Sequence, residues 1–307
     1  MPSQSRPLYG GQALVEGVLI RNADRWAVAL RRPDGEIHAY AGDLPTVSGL
    51  WTRPFLRGLR GLGVQFRVGM RALVESSTMA SAGEIRPLPR LAMASMVATS
   101  VVIGLLIFTA LPLILTARDA SVEPTVAQRL SEGMVKTGLL AVYVIGITRV
   151  PSYRRIFSYH GAEHMAVACA EADRPMTIEN VASFSPAHPR CGTGFIVILA
   201  TVDTFVLGVL PRFGEAFDLA LRIGFLPITA AIAYELLRWG SRQRGVGFGL
   251  NRFGLLSQRL TTAHPDRGQI EVAIAALELC RAPARAGTSG EAVSAAPSEP
   301  ATQLAQV

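Results

Sequence analysis

The chain has 307 residues, 50% of them hydrophobic and 17% charged, with a mean hydropathy of +0.32 and a net charge of +7. Soluble domains carry about 25% charged residues, so the shortfall argues against a soluble enzyme and for contact with membrane lipid. The positive balance is nearly all arginine, placed beside apolar runs, which favours membrane over nucleic acid; Cys169, Cys191 and Cys280 are too few and scattered for a disulfide scaffold.

In chain order, Met1 to Gly10 is polar, contains Pro2 and Pro7, and lacks the apolar core of a cleavable signal peptide. Gly10-Gly11-Gln12-Ala13-Leu14-Val15-Glu16-Gly17 reads locally as a glycine-flanked polar pair, in which Glu16 is a ligand, a base or a surface charge. Trp26 to Arg32 and Glu36 to Tyr40 alternate loosely around the turn signal Pro33-Asp34-Gly35, predicting a β-hairpin. From Pro54 to Val74 the period changes to three or four: Phe55, Leu59, Leu62, Phe66, Met70 and Leu73 share one face, and Arg53, Arg57, Arg60, Arg67 and Arg71 another. This is either an interfacial helix on anionic lipid or a helix packed on other cytoplasmic parts. Residues 1–90 form the N-terminal cytoplasmic module.

Residues 91–149 are read as two transmembrane helices. The first, 91–117, runs 27 residues without a charge, beyond the ~20 needed to cross a hydrocarbon core, with Pro112 as a kink. The second, 133–149, places Lys136, the single lysine, where it can snorkel. Residues 194–239 supply two more, 194–211 and 219–239, the latter with Arg222 near one end and Glu235, Arg238 and Trp239 near the other. Asp203 lies in the middle of the third, where a carboxylate costs about 2.5–3.5 kcal/mol, so it is expected to face the bundle interior. Arginines concentrate before the first span, in 150–193 and after the fourth, whereas Asp119, Glu123, Glu132, Glu215 and Asp218 mark the other loops. The arginine rule puts both termini and the 150–193 loop in the cytoplasm. In the C-terminal segment 240–281, Gly245, Gly247 and Gly249 lack the strand and helix context of a nucleotide loop. Asp266 there caps a helix running to Leu279. The Ala/Pro/Ser-rich tail, 282–307, reads as disordered. The fold class is a mainly α membrane protein of about four transmembrane helices, with a small β-containing module and an amphipathic helix.

Two clusters in the 150–193 loop carry chemistry. His160-Gly161-Ala162-Glu163-His164 reads H-x-x-E-H, and on a helix the two histidines share a face and can reach one metal ion. Glu163 beside them suits a general base. The order matches the inverzincin peptidases, in which a further downstream glutamate completes the site, a place Glu235 could take. The bland alternative is a helix with two solvated or packed histidines. The second cluster, His188-Pro189-Arg190-Cys191, offers imidazole and thiolate for zinc or iron, or simply a tight turn before the third span. The absence of C-x-x-C-H argues against haem. Asp203 and Glu235 are intramembrane carboxylates, which by type mark ion pathways.

The segments GGQALVEGVLIR at 10–21, PFLRGLRGL at 54–62, YHGAEHMAV at 159–167, HPRCGTGF at 188–195, AYELLR at 233–238, and LTTAHPD with QIEVAIAAL over 260–277 together resemble a bacterial membrane family, the domain of unknown function 1385 (YqhQ-like proteins), described as metal-dependent enzymes. Met165 and Gly194 depart from that pattern, and neither is a proposed ligand. The resemblance implies a multi-pass protein of the bacterial inner membrane with a metal, and supplies no reaction. The expected function is thus a zinc-type hydrolase, in its most specific form a peptidase, at the cytoplasmic membrane face. His160 and His164 bind the divalent metal, His188, Cys191 or Glu235 completes its shell, and Glu163 activates water. The substrate is an unidentified protein or lipid. The alternative is a non-catalytic metal-binding scaffold, assembly factor or transporter, in which Asp203 and Glu235 matter more.

Overall fold

The computed structural model describes residues 9–82, 89–116, 125–209, 215–240, 255–283 and 293–295. An antiparallel sheet in the order β1-β2-β3-β4-β5 is built from Gly10–Leu14 (β1), Gly17–Arg21 (β2), Arg25–Arg31 (β3), Ile37–Asp43 (β4) and Val293–Ala295 (β5). The expected hairpin is β3–β4, pairing Arg31 with Ile37 across a turn in which Gly35 takes φ 92°, a left-handed conformation glycine adopts without a Cβ penalty. The segment read only as glycine-flanked is a second hairpin, β1–β2, turning through Val15 and Glu16, with Glu16 at φ 55°. Within the tail expected to be disordered, Val293–Ala295 pair with the outer edge of β4 as β5; the tail's other residues beyond Pro283 lie outside the described ones.

Helices cover both sheet faces, which is why the strands alternate only loosely in sequence: inward and outward side chains are both apolar. On one face Val18, Ile20, Ala27, Ala29, Ala39 and Ala41 pack against α5 (Pro151–Glu171) and α10 (Arg267–Arg281) through Tyr159, Ala162, Ala166, Ile270, Ala273 and Leu277. On the other, Leu14, Leu19, Val28, Leu30 and Tyr40 meet Ala72 and Met79 of α1 (Leu56–Ala82). Each of the larger aliphatic side chains buried here contributes about 1.5–3 kcal/mol. The amphipathic helix is therefore a packed one over its second half, while Phe55, Leu56 and Phe66 stay exposed near its start.

α10 begins where expected: the Asp266 carboxylate accepts from the Gln269 N–H at 2.8 Å, and the Gln269 side chain returns the bond to the Asp266 N–H, a capping box. The 150–193 segment is not an open loop but chiefly α5 and the short α6 (Ile178–Ala182), buried from Tyr159 to Val167 apart from His160. Val150 is extended and Pro151 opens α5, as a residue before proline and a proline in the first turn should be.

The apolar remainder is helical. α2 (Arg90–Leu105) passes through a π turn at Leu106–Ala110 into α3 (Leu111–Thr116). The widened turn accommodates Pro112, which has no N–H to donate and whose ring crowds the preceding turn. α4 spans Val126–Thr148 and α8 Glu215–Gly240. By length and composition Leu91–Thr116, Val126–Thr148 and Phe217–Gly240 are long and apolar enough to cross a membrane. The segment expected as the third span falls on α7 (Gly192–Val209), whose apolar stretch, Gly192–Val206, is shorter. A short helix α9 (255–261) precedes α10. Asp119, Glu123, Arg242, Arg244, Arg252 and the alternating glycines Gly245, Gly247 and Gly249 lie outside the described residues.

Candidate metal centre

α5 carries both histidines on one face, with ring centroids 4.4 Å apart, as a separation of one turn requires. Each ring is pinned by a backbone carbonyl. His160 Nδ1 lies 2.8 Å from the Thr261 oxygen at the end of α9, and His164 Nδ1 lies 2.6 Å from the Pro186 oxygen. A carbonyl only accepts, so each Nδ1 carries the proton and each Nε2 presents a lone pair. Orientation of this kind, a backbone acceptor on the far nitrogen, holds metal-binding imidazoles in place.

Cys191 arrives from the loop before α7. His160 Nε2 stands 3.2 Å from its Sγ, and Thr193 supports the sulfur through Oγ1 at 3.1 Å and N–H at 3.4 Å. Donor atoms of His160, His164 and Cys191 all lie within 4.8 Å of one another. Tetrahedral zinc holds nitrogen at about 2.0–2.1 Å and sulfur at about 2.3 Å, often with three protein donors and an open fourth position. Two imidazoles presenting their Nε2 atoms and one thiol fit that donor set, after closing up slightly around an ion. Without a cation, burial pushes the Cys191 thiol up to about 11, against the lowering contacts from Thr193.

Glu163 is buried beside the three, its Oε2 3.7 Å from His164 Nε2. Burial raises its carboxyl to about 7, partly offset by His160. Strand β1 lies directly against it: a Cβ on Gly11 would come within 2.6 Å of Glu163 Oε1. Burial first, and the neighbouring His160 next, push His164 down to about 2. His164 is thus held neutral beside a carboxyl balanced near neutrality.

The other expected residues are placed as follows. His188 adjoins the group, its ring 5.7 Å from that of His164, but both nitrogens are engaged: Nδ1 accepts from the Arg190 N–H at 3.4 Å, and Nε2 faces Glu171 at 3.5 Å. Glu171 also pairs with Arg190. Burial lowers His188 to about 4. Glu235 stands apart, accepting from Arg57 at 2.9 and 2.5 Å and from the Phe55 N–H at 3.1 Å. Glu16, at the β1–β2 tip, reaches α5 without joining the donors; it accepts from Arg155 and from the Tyr159 hydroxyl at 3.1 Å. Asp203 on α7 pairs with Lys136 on α4, and its Oδ1 has no hydrogen-bond partner among the described residues. That pair lines a cavity of about 20 Å³ with Thr109, Glu132 and Arg222.

The sequence did not single out the Thr261 and Pro186 carbonyls, Glu171, Gly11 or Gln258. Gln258 clasps the His188 backbone from α9, accepting its N–H at 2.8 Å and donating to its carbonyl at 2.9 Å. Carbonyl roles leave no residue-type signature, and Gly11 is specified by the carboxylate it abuts rather than by a turn.

The family profile described as "Protein of unknown function (DUF1385)" matches residues 53–282. "Uncharacterized protein YqhQ" of Bacillus subtilis (strain 168) is 32% identical over 287 residues, covering 87% of this chain and 90% of that protein. No solved structure matches. With the profile spanning more than half of the chain and this relative matching nearly end to end, the chain belongs to the DUF1385 family.

Proposed function

We propose that this protein is a metal-dependent hydrolase of the bacterial cytoplasmic membrane, working at the inner face on a peptide, lipid or other amide or ester. The carrying observation is the pair of carbonyl-pinned histidines whose remaining nitrogens meet the Cys191 sulfur. His160, His164 and Cys191 would hold the ion, with zinc the best match to two imidazoles and a thiolate. When bound, such an ion supplies Lewis acidity toward water and toward a carbonyl. Glu163, with its carboxyl near 7, takes the proton from the attacking water and returns it to the leaving group. His188, held by Gln258, Arg190 and Glu171, positions the Cys191 loop rather than binding the ion.

The apolar helices support a multi-pass arrangement of four spans with α7 as the third, both termini and the centre on the cytoplasmic side, following the arginine distribution. Metal analysis of the purified protein tests the centre: about one zinc per chain is expected, lost in His160→Ala and His164→Ala. Unchanged metal content in both variants would remove the hydrolase reading. Glu163→Gln should keep the metal and lower turnover by 10²-fold or more.

A second reading, transport, draws on the polar cluster between helices. Lys136–Asp203 joins α4 to α7, and Arg222–Glu132, at 2.8 Å, joins α8 to α4. Buried charges inside a membrane bundle commonly serve ion or proton movement. In that case Asp203→Asn abolishes a proton-dependent flux in proteoliposomes while leaving the metal content intact. A flux that ignores the substitution rejects it.

A further inference from the structure

The hydrogen-bond phase of the sheet settles which main-chain groups its β1 edge presents. The Glu16 carbonyl accepts from the Arg31 N–H at 2.7 Å, so residues 16, 18 and 20 face β3, and Gly17, Leu19 and Arg21 face β1. In an antiparallel ladder the groups of each residue point to one side only, alternating along the strand. Gly17, Leu19 and Arg21 stand opposite Leu14, Gln12 and Gly10. Gly11 and Ala13 therefore turn their N–H and C=O away from the sheet. No described residue offers them a backbone partner, and both are partly exposed. Exposed edges usually carry charge, proline or a covering element; this short edge carries Gly-Gly-Gln-Ala.

The edge also runs beside the candidate centre. Gly11 lies against Glu163, close enough that any side chain there would collide with the carboxylate. A strand added to β1 would thus lie beside the strand whose inner face covers Glu163, the neighbour of the His160–His164–Cys191 donors. Two donor–acceptor pairs set two residues apart, about 6.8 Å along the strand, match alternate residues of another extended polypeptide. A lipid ester offers no such row.

We infer that the edge of β1 left open among the described residues, through Gly11 and Ala13, binds an extended polypeptide as an added strand and brings its backbone alongside the candidate metal centre. This rests on the hydrolase reading and assigns its substrate class, by main-chain pairing of the kind used in β-strand addition.

The test uses the full chain in detergent micelles, carrying Glu163→Gln to prevent turnover, with reduced, carboxymethylated α-lactalbumin as an unfolded probe. Amide deuterium exchange at Gly11 and Ala13 is expected to slow at least tenfold when the probe is added, with Gln12, already bonded to β2, unchanged. Exchange that does not respond overturns the inference. So does protection present without probe and lost on dilution, which would assign the edge to a second copy of this chain. Ala13→Pro removes one outward N–H without touching the β1–β2 ladder, a change edge strands tolerate. It should weaken probe binding about tenfold by fluorescence anisotropy, while Ala13→Val stays within twofold; equal binding by Ala13→Pro also overturns the inference. In metal-free His164→Ala, retained protection upholds the docking edge even if zinc analysis has removed the hydrolase, so the two ideas fail separately.

Discussion

Glu163 and the buried histidines His164 and His188 pull stability in opposite directions with pH. The His188 and His164 imidazoles are depressed to about 4 and about 2. A depressed group stabilises the fold above its unfolded value, near 6.5, and that contribution is lost as pH falls through the folded value. Glu163, raised to about 7, contributes below its ordinary range and loses that contribution as pH rises through about 7. The metal-free protein should therefore show a falling melting temperature on acidification below pH ~6.5. His188→Gln should flatten that fall, because it removes the group titrating near 4; a variant as acid-sensitive as the parent would show that the ring protonates without penalty. Legibility was best at this scale. H-x-x-E-H already placed both rings on one helix face, and H-x-x-C named the sulfur that meets them. Glu235 illustrates the failure: its downstream spacing suggested a ligand, but spacing does not reveal that Arg57, far earlier in the chain, occupies both carboxylate oxygens.

Helix α5 joins the two halves of the molecule, and its glycine shows how tightly. Gly161 abuts the Ala263 carbonyl between α9 and α10, beside the Thr261 carbonyl that orients His160. Gly161→Ala should cost about 1–3 kcal/mol by overpacking and lower zinc affinity along with stability, read by thermal melts with and without metal. Zinc binding unchanged in a destabilised variant would show that Ala263 can shift without moving Thr261. Similarly, Gly133 on α4 faces the Thr204 side chain on α7, so Gly133→Ala should splay those helices and expose the Lys136–Asp203 pair. At this scale the sequence spoke unevenly. Capping chemistry at Asp266 and the turn at Pro33-Asp34-Gly35 announced themselves. The β1–β2 hairpin did not, because its turn uses Glu16 in a left-handed conformation, where glycine or asparagine would have signalled it. The strands also lacked clean alternation, because α1 covers one face while α5 and α10 cover the other.

Taken whole, the molecule sets a covered sheet beside a set of apolar helices. Alkaline carbonate washing of cell membranes should leave the chain in the pellet, and its release into the supernatant would defeat the membrane assignment. Cysteine-accessibility labelling from each side should place both termini inside, and labelling of either from outside would invert the proposed orientation. Composition gave the apolar helices, since length and hydropathy are additive along a chain. The assembly of the centre was beyond it, because the pieces come from α5, the loops preceding α7 and α10, and a strand near residue 11, brought together only by packing. Arg57 and the Phe55 N–H grip Glu235 near the end of α8, Gly58 rests on Tyr234, and Gln12 of β1 meets Gln65 of the same helix, α1, at 3.3 Å. α1 thus links α8 to the strand beside the candidate centre. On the proposed membrane placement, a thinner or thicker bilayer would tilt α8 and draw on the strand against Glu163. Reconstitution into short- and long-chain phosphatidylcholine should then give different zinc affinities; identical affinities would mean that the link is slack.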